Sequence, residues 1–179
     1  KVCKIFGPGN TWVTCAKNIV SSDPAGAAID MPAGPSELLV IADRDASADF
    51  VAADLLSQAE HGVDSQVMLL TTDADFAGQV QAAIDTQIKR LSRAEFVLKS
   101  LANSQAIIVQ DIAMAVAISN CYAPEHLILQ VTDPRDALSR IRHAGSVFIL
   151  PWSPEAVGEH SRPSWRERAD IPVVPLSPP

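Results

Sequence analysis

The chain is poor in cysteine, poor in aromatics and has no surplus of basic charge. Its three cysteines (Cys3, Cys15, Cys121) are odd in number and widely separated, with no C-x-x-C pair. That excludes a disulfide framework and a zinc finger, and leaves reduced thiols in an intracellular protein as the expectation. A formal net charge of −7 with no basic stripe gives no electrostatic footprint for nucleic acid. No apolar run reaches the ~18 residues of a membrane span, so no membrane contact is expected. The chain opens at Lys1 in domain-like sequence, with no initiator methionine, signal or transit peptide. It reads as a piece of something longer, in a cytoplasmic setting, or a plastid if the source is a plant. Internal repeats and low-complexity tracts are also missing.

What remains is a core former. Hydrophobic residues make up 47% of the 179 and charged residues 20%, which suits one domain, or one and part of another. Lys4-Ile5-Phe6 reads as a strand end, then the turn Gly7-Pro8-Gly9-Asn10, then a helix from Thr11 with Asn10 as N-cap. Free N–H groups at such a helix start favour an anion; with one Gly-x-Gly and no GxGxxG, a plain tight turn fits equally. Residues 27–31 form a short strand and 38–42 a clearer one. Between them, Pro32-Ala33-Gly34-Pro35-Ser36-Glu37 is a rigid loop able to place Ser36, or a bare connection.

From Ser47 the sequence alternates helix and strand. Strands are expected at 66–71, at 105–109 (buried), at 126–131 and at 146–150. Helices are expected behind Ser47, over Phe76-Val80-Ile84-Ile88-Leu91, behind Ser92, behind Asp111 and at Asp133-Pro134, the last closed by Gly145. Alternation of this kind predicts a mostly parallel sheet with helices on both faces. Beyond Leu150 the texture changes: Pro151–Pro179 holds seven of thirteen prolines and two of three tryptophans. This stretch reads as an irregular tail outside the core.

Two clusters could carry chemistry. In Ser57-Gln58-Ala59-Glu60-His61-Gly62, the Gln58 and His61 side chains are three apart at a helix end, about 5–6 Å between Cβ atoms, close enough to meet one small target such as a metal. Gly62 is expected to end the helix in the left-handed conformation. The pair would then sit at a rim where ligands bind in α/β proteins; a surface Gln and a capping His is the plainer alternative. In Asn120-Cys121-Tyr122-Ala123-Pro124-Glu125-His126, Pro124 is expected to hold Ala123 extended. Glu125 and His126 then emerge together at a strand start, as an acid–base pair or a solvent-facing edge pair. Cys121 with His126 as base is a further option, against a packed thiol.

Phe6-Gly7-Pro8-Gly9-Asn10, Asp30-Met31-Pro32-Ala33-Gly34-Pro35-Ser36-Glu37, Ser57-Gln58-Ala59-Glu60-His61-Gly62 and Pro124-Glu125-His126-Leu127, in this order, together resemble the histidinol dehydrogenase family, from Lys1 to about Gly158. The resemblance implies a homodimeric, zinc-requiring, NAD-dependent enzyme that oxidises L-histidinol to L-histidine through histidinal, on incomplete Rossmann-like domains. It implies NAD contact at Asn10 and substrate contacts at Ser36, Gln58, His61 and His126. Gln58 and His61 would be zinc ligands, His126 the base on the alcohol, and Glu125 the base that activates water. It also implies a layout of 1–36 as the end of an NAD-side domain, 37–150 as the domain bearing metal and catalytic residues, and 151–179 as the divergent tail. Where the family carries a zinc-binding aspartate, this chain has Glu159, whose extra methylene moves the carboxylate by over ~1 Å. After residue 160 the family pattern is lost, so little activity is expected of this chain alone.

Overall fold

The computed structural model describes residues 2–7, 11–30 and 36–149. The chain divides into two compact units, Lys1–Pro35 and Ser36–Pro179.

The first unit is a minimal strand–helix–strand. Strand β1 (Lys4–Ile5) pairs in parallel with β2 (Ala28–Ile29), and helix α1 (Thr11–Ser22) connects them. Gly7, just after β1, is held by side chains. Lys17 of α1, buried to 7% exposure, donates from Nζ to the Gly7 carbonyl at 2.9 Å and forms an ion pair with Asp30. Asp30 Oδ2 also accepts from the Gly7 amide at 2.8 Å. Lys17, with the Gly7 amide next in weight, holds the Asp30 carboxyl below its usual range. Gly7 itself has φ 138°, a region that favours glycine.

The second unit is a five-stranded, all-parallel sheet. Its strands are β3 (Glu37–Ala42), β4 (Gln66–Thr71), β5 (Gln105–Ile108), β6 (His126–Gln130) and β7 (Ser146–Ile149), in the spatial order β5-β4-β3-β6-β7. The helices are α2 (Ala48–Ala59), α3 (Ala74–Gln87), α4 (Ala94–Leu101), α5 (Ile112–Tyr122) and α6 (Pro134–Arg140). Side-chain alternation divides the core. Leu38, Val40, Ala42 and Ile128 face α2, α3 and α4, while Leu39, Ile41, Leu127 and Leu129 face α5 and α6. A sheet covered on both sides needs apolar residues at every position, hence the unbroken Leu38–Ala42 and Val67–Leu70 runs.

Polar caps fix where three of the helices start. Asp73 accepts from Asp75 and Phe76, Asp111 from Met114, and Asp133 from Asp136 with Pro134 in the first turn. Other expectations shift. Ser47 stands at the α2 N-cap without a side-chain hydrogen bond, and Arg93, not Ser92, occupies that position in α4. The apolar period through Leu91 outlasts α3, whose end tightens into a 3-10 turn at Ile88–Arg90. Strand β5 is an edge strand and only half-buried, with Ile108 49% exposed, because among the described residues no strand pairs with its outer side.

Candidate active site

The functional candidates gather at the amino-terminal edge of the five-stranded sheet. Ser36 immediately precedes β3, and His126 opens β6, the neighbouring strand, in register with Leu38. Ser36 Oγ donates to Glu125 Oε2 at 2.9 Å, so residues 89 apart in sequence meet directly. Glu125 is half-buried. His126 is buried at 7% exposure on the face of Ile128, its ring centroid 6.2 Å from that of Phe148.

The backbone around this pair is tightly set. Ala123 caps α5 with φ 55° and ψ 61°, donating its N–H to Ser119 O at 2.8 Å. The extended geometry expected before Pro124 is therefore replaced by a left-handed one, because the chain must pass from α5 into β6 within three residues. A left-handed alanine costs on the order of 1–3 kcal/mol, which the surrounding bonds offset. On the far side, Gly145 donates to Pro124 O at 2.9 Å and Ser146 to Glu125 O at 2.8 Å. A Cβ on Gly145 would sit 2.5 Å from Glu125 O, so only glycine lets this loop lie against the acid–base pair. Gly145 thus serves close approach, while α6 ends earlier, with Ile141 as C-cap.

Helix α2 runs back across the sheet and brings its last turn to the same edge. Gln58 there is fully buried at 0% exposure, and neither its Oε1 nor its Nε2 has a hydrogen-bond partner. An unanswered buried polar group costs about 1–3 kcal/mol. His61 is exposed, and its N–H donates to Gln58 O at 3.1 Å. The helix does not stop on a left-handed Gly62. Glu60 remains right-handed, and the Glu60 and His61 amides fold the last turn inward, so glycine is not needed there. The loop then enters β4, where Gln66 N–H donates to Ser36 O at 3.4 Å, tying the two clusters together.

Glu125 and His126 thus stand at a strand start, where the sequence reading put them. In doubly wound sheets the usual crevice lies at the strands' carboxyl ends, where the order reverses, here between β3 and β6. In this chain that crevice is bridged by the protein itself. Asp43 Oδ2 accepts from Thr132 N at 2.6 Å and from its Oγ1 at 2.7 Å, and Asp45 accepts from Thr132 Oγ1 at 3.1 Å. Sequence reading also missed a part-buried pair nearby: Gln130 donates from Nε2 to Asp54 Oδ2 at 3.1 Å. Burial pushes the Asp54 carboxyl up to about 6, with the Gln130 bond opposing. The one signal was a glutamine ending an otherwise apolar strand.

Among the described residues, no group of three or more His, Cys, Asp and Glu could hold a metal ion. Gln58 falls outside that residue set, and with His61 it offers two donors at one helix end. Asn10 and Glu159 lie outside the described residues. Cys121 is a free, half-buried thiol in the last turn of α5.

Strand order and helix placement define a doubly wound α/β protein, with a carboxylate, an imidazole and a buried amide collected at one sheet edge. The histidinol dehydrogenase family model matches residues 1–163. The chain is 58% identical over 161 residues to the histidinol dehydrogenases of Vibrio vulnificus (strain YJ016) and Salmonella typhimurium (strain LT2), covering 90% of this chain and 37% of theirs. The crystal structure of histidinol dehydrogenase from Elizabethkingia anophelis superposes with a TM-score of 0.81 at 51% identity, over 87% of this chain and 35% of that one. A γ-glutamyl phosphate reductase from Thermotoga maritima shares the fold alone, with TM-score 0.50 and 10% identity. The chain therefore belongs to the histidinol dehydrogenase family, a family of oxidoreductases. It spans 37% of the length of the curated relatives it matches.

Proposed function

We propose that this chain carries the metal- and base-bearing part of an enzyme that oxidises L-histidinol to L-histidine through histidinal, with NAD as hydride acceptor. The observation that supports this best is the gathering of Ser36, Gln58, His61, Glu125 and His126 at one sheet edge, joined by the Ser36–Glu125 bond. Gln58 and His61 would hold zinc; the buried, unpartnered Gln58 amide fits an ion that needs an oxygen donor. Bound there, zinc would supply a fixed point for the substrate's nitrogen atoms and so set its pose.

The chain's own groups then divide the proton work. His126 takes the hydroxyl proton as the hydride leaves the carbinol carbon, a task for an imidazole near neutral pH. Glu125, held by Ser36, takes a proton from the water that adds to the aldehyde, after which a second hydride can depart. Ser36, Gln58, His61 and His126 contact the substrate, Asn10 contacts NAD, and the assembly is a homodimer. Glu159, in place of the family's aspartate, would be a displaced metal donor, and with the family pattern lost after residue 160 it is a reason for expecting a low rate.

NADH formation by the 179-residue chain with L-histidinol and Zn²⁺ tests this. The expected result is a slow, zinc-dependent rate that His126→Ala lowers by at least about 100-fold. A rate that ignores zinc and survives His126→Ala, or turnover confined to a different polar alcohol, would refute the proposal.

A further inference from the structure

Asp54 and Gln58 lie four residues apart on α2, so their side chains leave one face of the helix a turn apart. On β6 the alternate residues His126, Ile128 and Gln130 share one face, and Ile128 packs there with Val51, Leu55 and Ala59 of α2. Because α2 returns from β3 to the parallel β4, it runs antiparallel to β6. Two polar rows therefore run in opposite directions, Asp54 to Gln58 on the helix and His126 to Gln130 on the strand. One rung joins them, the 3.1 Å bond from Gln130 Nε2 to Asp54 Oδ2. Gln130 is buried at 6% exposure and its Oε1 has no partner, so Asp54 is what orients its amide. Helix α2 lies chiefly over β3 and β4, and this bond ties it to the next strand along. An apolar pair would hold the helix there without desolvating a carboxylate. A hydrogen bond, unlike apolar contact, is directional and fixes register. From the rung, Gln58 is about 6 Å along the helix and His126 about 13 Å along the strand, which leaves about 7 Å between their levels at the amino edge.

We propose that Asp54 and Gln130 are positioning residues: their bond fixes the register of α2 on β6, and with it the spacing between the Gln58–His61 donors and His126 across which the amino alcohol is held. This rests on reading the amino edge as the histidinol site. The pair acts through the two elements and not on the substrate itself.

Binding to the full 179-residue chain separates this from a merely structural role. Zinc affinity is read by competition with a chromophoric chelator, and L-histidinol and imidazole affinities by NMR titration of the zinc-loaded chain. Gln58 and His61 belong to one helix end, so zinc and imidazole, which need not span to β6, should bind Asp54→Leu as they bind wild type. L-Histidinol must reach both elements and should bind at least about tenfold more weakly. Gln130→Leu breaks the same rung from the strand and should give the same loss, and the double variant no more than either alone. Asp54→Asn still accepts from Gln130 and should bind L-histidinol as wild type does. Unchanged histidinol affinity in the leucine variants, equal losses for all three ligands, or a loss in Asp54→Asn would overturn the positioning role. A wild-type chain that binds no L-histidinol in the presence of zinc would overturn the reading of the site, and the positioning role with it.

Discussion

The two edges of the five-stranded sheet differ in how their polar groups are answered. At the carboxyl edge, Asp43, Asp45 and Thr132 bond one another across β3 and β6, while Gln130 Oε1 at the end of β6 is buried without a hydrogen-bond partner. At the amino edge the protein tolerates a left-handed Ala123, a glycine pressed against Glu125 O and a fully buried amide with no partner. Unmet polar groups and local strain cost stability, and they persist where function over-determines them. Fold precedent points to the carboxyl edge, whereas the doubly unpartnered Gln58 amide and the Ser36–Glu125 bond mark the amino edge as the candidate.

The largest effect is expected from Gly145→Ala. Its methyl would have to displace Glu125 O, which is 2.5 Å from the Cβ position, or open the Gly145–Pro124 and Ser146–Glu125 bonds. Urea unfolding should show a loss of about 2–3 kcal/mol, and any histidinol turnover should fall with it. Unchanged stability would mean that the amino edge is looser than described.

Asp54→Asn comes next and probes the carboxyl-side face. Burial lifts the Asp54 carboxyl from 3.8 to about 6. Between those values the folded chain holds a proton that the unfolded chain releases, so stability falls as pH rises from about 4 to about 6 and levels above that. The uncharged amide of the variant would still accept from Gln130, and should stabilise the chain above pH 7 by about 1–2 kcal/mol, allowing for the partial exposure of the site to solvent. Melting curves from pH 4 to 8 should flatten in the variant; an unchanged pH slope would contradict the assignment.

Thr132→Val is the mildest. It removes the hydroxyl bonds to Asp43 and Asp45 but leaves the 2.6 Å backbone bond, so a loss of about 0.5–1 kcal/mol is expected with no change in zinc binding. A large loss of zinc affinity would erase the distinction between the edges.

Much of the fold was legible because its signals are local. The apolar runs 38–42 and 66–71 and the caps Asp111 and Asp133-Pro134 each act within a few residues. What failed was non-local. Strand order decides that β5 is an edge strand and that β6 lies beside β3, and no periodicity encodes that order. The left-handed Ala123 follows from the geometry between α5 and β6, which outweighs the rule for residues before proline. Gly62 looked like a helix stop, but the Glu60 and His61 amides had already closed the turn. Gln58 was legible as a candidate, yet its complete burial depends on helix and sheet meeting. The Asp54–Gln130 pair spans 76 residues and left only a polar letter at a strand end.

The most direct test is a zinc titration of the ¹³C,¹⁵N-labelled chain followed by NMR. If the amino edge is the site, the Gln58 side-chain amide and the His61 ring signals should shift with Ser36, Glu125 and His126, while Asp43, Gln130 and Thr132 stay still. Movement of the Asp43–Thr132 signals with the Gln58 and His61 signals unmoved would contradict it.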